Sequence, residues 1–159
     1  MTDEATVEAL LQAARRARER AYAPYSRFPV GAAVESDEGV FAGANVENAA
    51  APTGVCAERV AAASAVSAGA RGIAAVAISS GAQRPTAPCG QCRQFLSEFG
   101  PAMLVVSEAV DGTRRQWRLA DLLPDAFGPG DVLPSQGVGS GHEAGGSPAV
   151  RQPEGTTWT

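Results

Sequence analysis

The sequence predicts an α/β fold in which helices pack on a mixed sheet. Three observations carry that expectation. The predicted elements run helix, hairpin, helix, strand, helix, strand. The later strand–helix–strand segment calls for parallel pairing through a right-handed crossover. The 159 residues are 45% hydrophobic and 19% charged, enough apolar material for one buried core.

Residues 5–22 lack Gly and Pro, and a turn containing Pro24 follows them. Val7, Leu10, Leu11, Ala14 and Ala17 recur at the helical period, so an amphipathic helix is expected. Residues 28–34 and 39–45 read as two strands, and the polar Glu35-Ser36-Asp37-Glu38-Gly39 between them reads as a hairpin turn. Residues 46–54 read as a loop. Residues 56–68 are Ala-rich and unbroken, hence helical, with Gly69 and Gly72 as the stop. Residues 73–79 and 102–107 are short apolar runs read as buried strands. Residues 90–99 between them read as a short helix ended by Gly100-Pro101. A last strand is expected at 115–119 and a short helix at 119–123. Beyond Phe127 the chain turns rich in Gly, Pro and Ser. The expected organisation is one folded domain over 1–127 and a disordered tail over 128–159.

Charge argues against some function classes. The net charge is -4 and the sequence pI about 5.0. All 13 basic residues are Arg, and they are scattered, with short clusters only at Arg15-Arg16 and Arg114-Arg115. Such a chain offers a nucleic acid polymer little attraction. No stretch approaches the ~20 apolar residues of a membrane span. The start, Met1-Thr2-Asp3-Glu4, is acidic where a secretory signal would be basic. A cytoplasmic protein is therefore expected. There thiols stay reduced, so the three Cys read as ligands or nucleophiles rather than as a disulfide.

Those Cys carry the chemistry. Cys56 opens Cys56-Ala57-Glu58, and Cys89 and Cys92 lie in Pro88-Cys89-Gly90-Gln91-Cys92. Each falls at the start of a predicted helix, where the helix dipole and free N–H groups favour thiolate, the metal-binding form. Cys89 and Cys92 are three apart and share a helix face. Structural zinc sites use four protein ligands, whereas a catalytic site leaves one position open. The chain has three Cys, and its one His, His142, falls in the predicted tail. The count leans toward catalysis.

Glu58 sits about 200° from Cys56 on an ideal helix, so both serve one site only if that site lies off the helix end. There Glu58 could carry a proton from water to a substrate nitrogen. Three thiolates on Zn²⁺ leave one net negative charge, so a cation near the sulfurs would help. Arg59 and Arg93 are the candidates.

Taken together, Cys56-Ala57-Glu58-Arg59 and Pro88-Cys89-Gly90-Gln91-Cys92-Arg93-Gln94 resemble the small homotetrameric zinc-dependent cytidine deaminases, whose signature and catalytic glutamate are a known case. The likeness runs from about residue 5 to Phe127. It includes Pro24-Tyr25-Ser26-Arg27-Phe28-Pro29-Val30-Gly31, Asn45-Val46-Glu47-Asn48-Ala49 and Leu122-Leu123-Pro124-Asp125-Ala126-Phe127. The resemblance implies a three-layer α/β/α sandwich with a mixed, mostly five-stranded sheet, and one Zn²⁺ per subunit held by Cys56, Cys89 and Cys92. It implies Glu58 as the proton carrier and deamination of cytidine and deoxycytidine, with a role in pyrimidine salvage. It implies that Phe28 packs beside the pyrimidine and that Asn45 and Glu47 bind the ribose. The main chain at Ala57 would read the ring. Arg59 would neutralise a thiolate, and Phe127 would reach into a neighbouring subunit of a homotetramer.

The chain departs from the family at Ala49-Ala50-Ala51-Pro52-Thr53-Gly54-Val55. Ala51 stands where many members carry Tyr, which bears on substrate and interface rather than on reaction class. The alternative substrate is a modified cytosine nucleoside such as a blasticidin-type antibiotic. Alternatives of other kinds are a metal-stabilised binding module, a polynucleotide-editing enzyme and a redox Cys-x-x-Cys. The last of these leaves Cys56 and Glu58 unexplained.

Overall fold

A computed structural model describes residues 2–132. Helix α1 (Glu4–Arg18) begins where the Asp3 carboxylate accepts the Thr6 N–H at 2.8 Å, a side-chain N-cap. It stops at Arg18, short of the expected residue 22, because Tyr22 is drawn away to pair with the chain at Val46. Strands β1 (Val30–Ser36) and β2 (Gly39–Ala44) form the predicted hairpin, with Gly39 in left-handed conformation at φ 112°. Strand β1 begins two residues later than expected. Arg27 takes φ 56°, and the Asn45 side chain occupies the Phe28 carbonyl and the Val30 N–H, so no ladder can start at Phe28.

The loop over 46–54 contains a 3₁₀ turn, Ala51–Thr53, that periodicity did not reveal. There follow α2 (Ala57–Ser67), β3 (Ile73–Ser80), α3 (Gly90–Ser97), β4 (Leu104–Glu108), β5 (Arg114–Arg118) and α4 (Leu119–Leu122). Strand β4 starts at Leu104 rather than 102, since the Met103 N–H donates to the Gly100 carbonyl and closes a turn there.

The sheet has five strands in the order β2-β1-β3-β4-β5. Only β3 and β4 are parallel, joined through α3 as expected, and the other neighbours are antiparallel. Alternation along each strand divides the core in two. Ala33, Ala75, Ala77 and Val106 face α1 and meet Val7, Leu10, Leu11 and Ala14. Ala32, Val34, Val76, Ile78 and Val105 face the other way and meet Ala57, Ala61, Ala62 and Ala65 of α2 and Leu96 of α3. The result is the expected α/β/α sandwich.

Small residues set the layer spacing. A Cβ on Gly31 would collide with the Ala14 carbonyl oxygen and the Arg18 backbone nitrogen. One on Gly43 would come within 2.7 Å of the Val60 side chain on α2. Both helices therefore lie close on the hairpin, and α2 is fixed where its N-terminus opens at the sheet's end.

Residues up to Gly128 form one compact unit, and a second begins at Pro129. Pro129–Val132 make one short helical turn, α5. The tail expected over 128–159 lies, from 133 on, outside the described residues, as does His142. Among the described residues no helix is long and apolar enough to cross a membrane.

Candidate metal and catalytic centre

Cys56 is the N-cap of α2 and Cys89 the N-cap of α3, and neither sulfur caps its own helix by a hydrogen bond. The thiols are thus left for another partner. Cys92 lies in the first turn of α3. The Cys56 and Cys89 sulfurs are 3.8 Å apart, those of Cys89 and Cys92 3.5 Å, and all three lie within 4.8 Å of one another. Tetrahedral thiolates at about 2.3 Å from zinc would stand about 3.8 Å apart, so the donor set fits that ion. Two helix N-termini converge on one point, as the Cys56–Glu58 wheel angle required.

Charge is arranged unequally among the sulfurs. The Cys56 thiol is brought down to about 5, by the Cys92 thiol donating to it, with Cys89 and the Arg59 guanidinium adding to the effect. Cys92, which gives that hydrogen bond and is buried, is pushed up. Arg59 is the cation beside the sulfurs. Its Nη2 also donates to the Gly54 carbonyl at 3.3 Å, while its buried Nε has no hydrogen-bond partner among the described residues. Arg93, the other candidate, serves elsewhere. Its Nε donates to the Pro88 carbonyl and its Nη1 to the Leu122 carbonyl, both at 2.7 Å, tying the Cys89 loop to α4.

Glu58, second residue of α2, is 5% exposed. Burial pushes its carboxyl above the usual range, and the nearby Cys56 sulfur adds to the shift. Glu58 lines a cavity of about 460 Å³ together with Cys56, Ala57, Cys89, Phe28, Asn45 and Glu47. Seven of the residues singled out from the sequence therefore meet in one place. That volume falls in the range for small-molecule sites.

Part of the cavity wall is held by a small ribbon. The Tyr22 N–H donates to the Asn45 carbonyl at 3.0 Å, and the Glu47 N–H to the Tyr22 carbonyl at 2.8 Å. Val46 and Val55 exchange two bonds of 2.9 Å, which also steers the chain into α2. Asn45 accepts the Val30 N–H through Oδ1 at 2.8 Å and donates through Nδ2 to the Phe28 carbonyl at 3.0 Å. Its amide thus holds Phe28 in the cavity wall. Glu47 Oε2 accepts the N–H groups of Tyr25 and Ser26 at 2.9 and 3.2 Å. The Ser26 hydroxyl foremost, and then those N–H bonds, hold its carboxyl below the usual range.

Phe127 does not line this cavity in the single chain. It is 61% exposed, and its carbonyl accepts from Gln94 Nε2 at 2.7 Å. Residues missed from sequence are Ser26, Val30, Ile78, Ser80, Thr86 and Ala87, all in the wall. Ser80 and Thr86 join hydroxyls at 3.2 Å, and the Thr86 N–H donates to Ser107 Oγ at 3.1 Å. Nothing in the local pattern marks them, because sheet register brings Ser80 and Ser107 to the loop that carries Cys89.

The family described as the cytidine and deoxycytidylate deaminase zinc-binding region matches residues 4–108. The chain is 42% identical over 128 residues to a cytidine deaminase of Sporosarcina psychrophila, covering 79% of this chain and 94% of the relative. It is 43% identical over 120 residues to one of Mycobacterium tuberculosis, covering 75% and 87%. Among solved structures, cytidine deaminase from Burkholderia pseudomallei matches with a TM-score of 0.72 at 50% identity, over 76% of this chain and 98% of that one.

Proposed function

The chain belongs to the cytidine and deoxycytidylate deaminase family, and on that premise we propose that it hydrolyses the C4 amine of cytidine and deoxycytidine, yielding uridine or deoxyuridine and ammonia. The observation that carries this is the buried Glu58 carboxyl sharing one cavity with the thiols of two helix N-termini.

Cys56, Cys89 and Cys92 hold the zinc. When bound, the ion supplies Lewis acidity that lets water attack at neutral pH. Glu58 handles the protons. One proton of the attacking water ends on pyrimidine N3, and the other leaves with the C4 amine as ammonia. A carboxyl raised by burial suits both acceptance and return of a proton. The Ala57 N–H, in the first turn of α2, has no intrahelical partner and is available to the ring. Phe28 covers the ring, and Asn45 and Glu47 stand at the sugar end. Arg59 offsets thiolate charge.

The names carried by the relatives favour plain cytosine nucleosides over a blasticidin-type substrate. A homotetramer in which Phe127 completes a neighbour's site accords with the exposure of Phe127, Tyr22 and Tyr25. Reduced thiol ligands suit the cytoplasm and a role in pyrimidine salvage.

The test is a panel of cytidine, deoxycytidine, cytosine and a bulky cytosine nucleoside on zinc-loaded enzyme, followed by ammonia release. Turnover of the first two supports the assignment. Turnover of the bulky nucleoside alone, or of none, overturns it.

A further inference from the structure

Three consecutive residues of α3 hold three different partners. Cys92 belongs to the sulfur cluster. Arg93 Nη1 donates to the Leu122 carbonyl at 2.7 Å, and Gln94 Nε2 donates to the Phe127 carbonyl, also at 2.7 Å. Neighbouring side chains leave a helix about 100° apart around its axis, so the two ends of the segment from Leu122 to Phe127 are held from different sides of α3. Between the two ties the chain turns at Pro124-Asp125, where Asp125 takes the left-handed φ of 56°.

Residues 124–127 are exposed and belong to no helix or strand, and Pro124 has no N–H to give. A segment of that kind at the end of a folded unit frays unless it is tied down. Both ties grip backbone carbonyls and leave the Phe127 ring exposed. The Arg93 tie acts at the near end, on α4. The Gln94 tie acts on Phe127 itself, one bond from the Cα that bears the ring, so fixing that carbonyl restricts where the ring can point. An ordered aromatic ring held in water forgoes the stabilisation of burial, and a second copy of the chain supplies it on assembly.

We propose that Gln94 is a positioning residue: by holding the Phe127 carbonyl it aims the Phe127 ring at the neighbouring subunit's substrate cavity. The turn of α3 that carries one site's Cys92 thereby also shapes the next subunit's site. This rests on the deaminase and homotetramer reading above, in which Phe127 completes a neighbour's site.

The test is a double-mutant cycle on the zinc-loaded full chain with cytidine. Gln94→Met keeps the length of the side chain and removes the donor, and Phe127→Ala removes the ring. Gln94→Met is expected to raise KM about three- to tenfold with kcat within about twofold, at unchanged zinc content and oligomer mass. In the Phe127→Ala background the same replacement is expected to move KM by less than about twofold, because Gln94 acts through the ring. If Gln94→Met does not fold, Gln94→Glu, which sets a carboxylate where the donor was, takes its place. Mixed oligomers of Gln94→Met and Glu58→Gln chains read the direction of the effect. The Glu58→Gln chain lends an intact Gln94 and Phe127, and turnover at the original KM is expected to return. Independent losses in the cycle, an unchanged KM in Gln94→Met, or a KM that stays high in the mixed oligomers overturns the positioning role alone. An active monomer overturns the homotetramer reading and this inference. Absence of cytidine turnover by the unaltered chain overturns the deaminase assignment with them.

Discussion

Cys56 and Cys89 cap two different helices, and their sulfurs stand 3.8 Å apart. They are 33 residues apart in the chain, and only the packing of α2 and α3 on one face of the sheet brings them together. Because each sulfur projects from a helix start, the site lies off the helix ends. Glu58 can then face it despite sitting across the helix from Cys56.

Replacing Glu58 with Gln separates metal binding from proton transfer. The amide keeps shape and burial but cannot carry the proton. Turnover of cytidine is expected to fall by about 10²–10⁴ or more, with zinc content unchanged. Steady-state kinetics beside metal analysis read both quantities. Activity near that of the unaltered enzyme would remove Glu58 from the mechanism.

Stripping zinc with a chelator is expected to abolish turnover, and adding zinc back to restore it. Secondary structure should largely survive, since the face packed against α1 involves none of the sulfurs. Circular dichroism before and after chelation checks this. Collapse of the whole fold on metal loss would make the ion structural.

Arg59 and Arg93 are expected to fail differently. Arg59 lies beside the thiols, so Arg59→Gln should weaken zinc binding about tenfold. Arg93 ties the Pro88 and Leu122 carbonyls together, so Arg93→Gln should lower the melting temperature more than zinc affinity. Competition with a zinc indicator and thermal melts give the two readouts. Equal effects on both would erase the distinction.

Glu108 gives the fold a defined acid sensitivity. Arg15 Nε and Nη2 grip its two oxygens at 2.7 and 2.6 Å, and Arg114 Nε adds a third bond at 3.0 Å. These cations, Arg15 foremost, hold the buried Glu108 carboxyl below its ordinary 4.5. A depressed carboxylate stabilises the folded state fully above its unfolded pKa and loses that contribution as pH falls through the folded one. The loss therefore begins below about pH 4.5. Glu108→Gln should cost about 2 kcal/mol at pH 7, less than a fully buried pair would, because the Arg15 and Arg114 side chains are 36% and 31% exposed. The deficit should shrink toward pH 3, as urea melts at the two pH values would register. A deficit that does not change with pH would mean the ion pairs contribute nothing.

Much of the fold was legible before the structure. The α1 stripe Val7, Leu10, Leu11, Ala14 is buried as its period predicts. The hairpin, the crossover and both metal-bearing helices fall where apolar runs and Gly placed them. Boundaries moved where side chains from distant segments intervened. Asn45 took the backbone groups that a longer β1 would have used, and Tyr22 left α1 to join Val46.

By itself the sequence pointed to the donor set, because thiol count, helix starts and a nearby acid are local properties, while the reaction class came from the resemblance of those motifs to a known family. Tertiary structure decided which Arg faces the sulfurs and which hydroxyls line the cavity. These depend on sheet register and on the closeness of α2 to Gly43, distances that no single segment encodes.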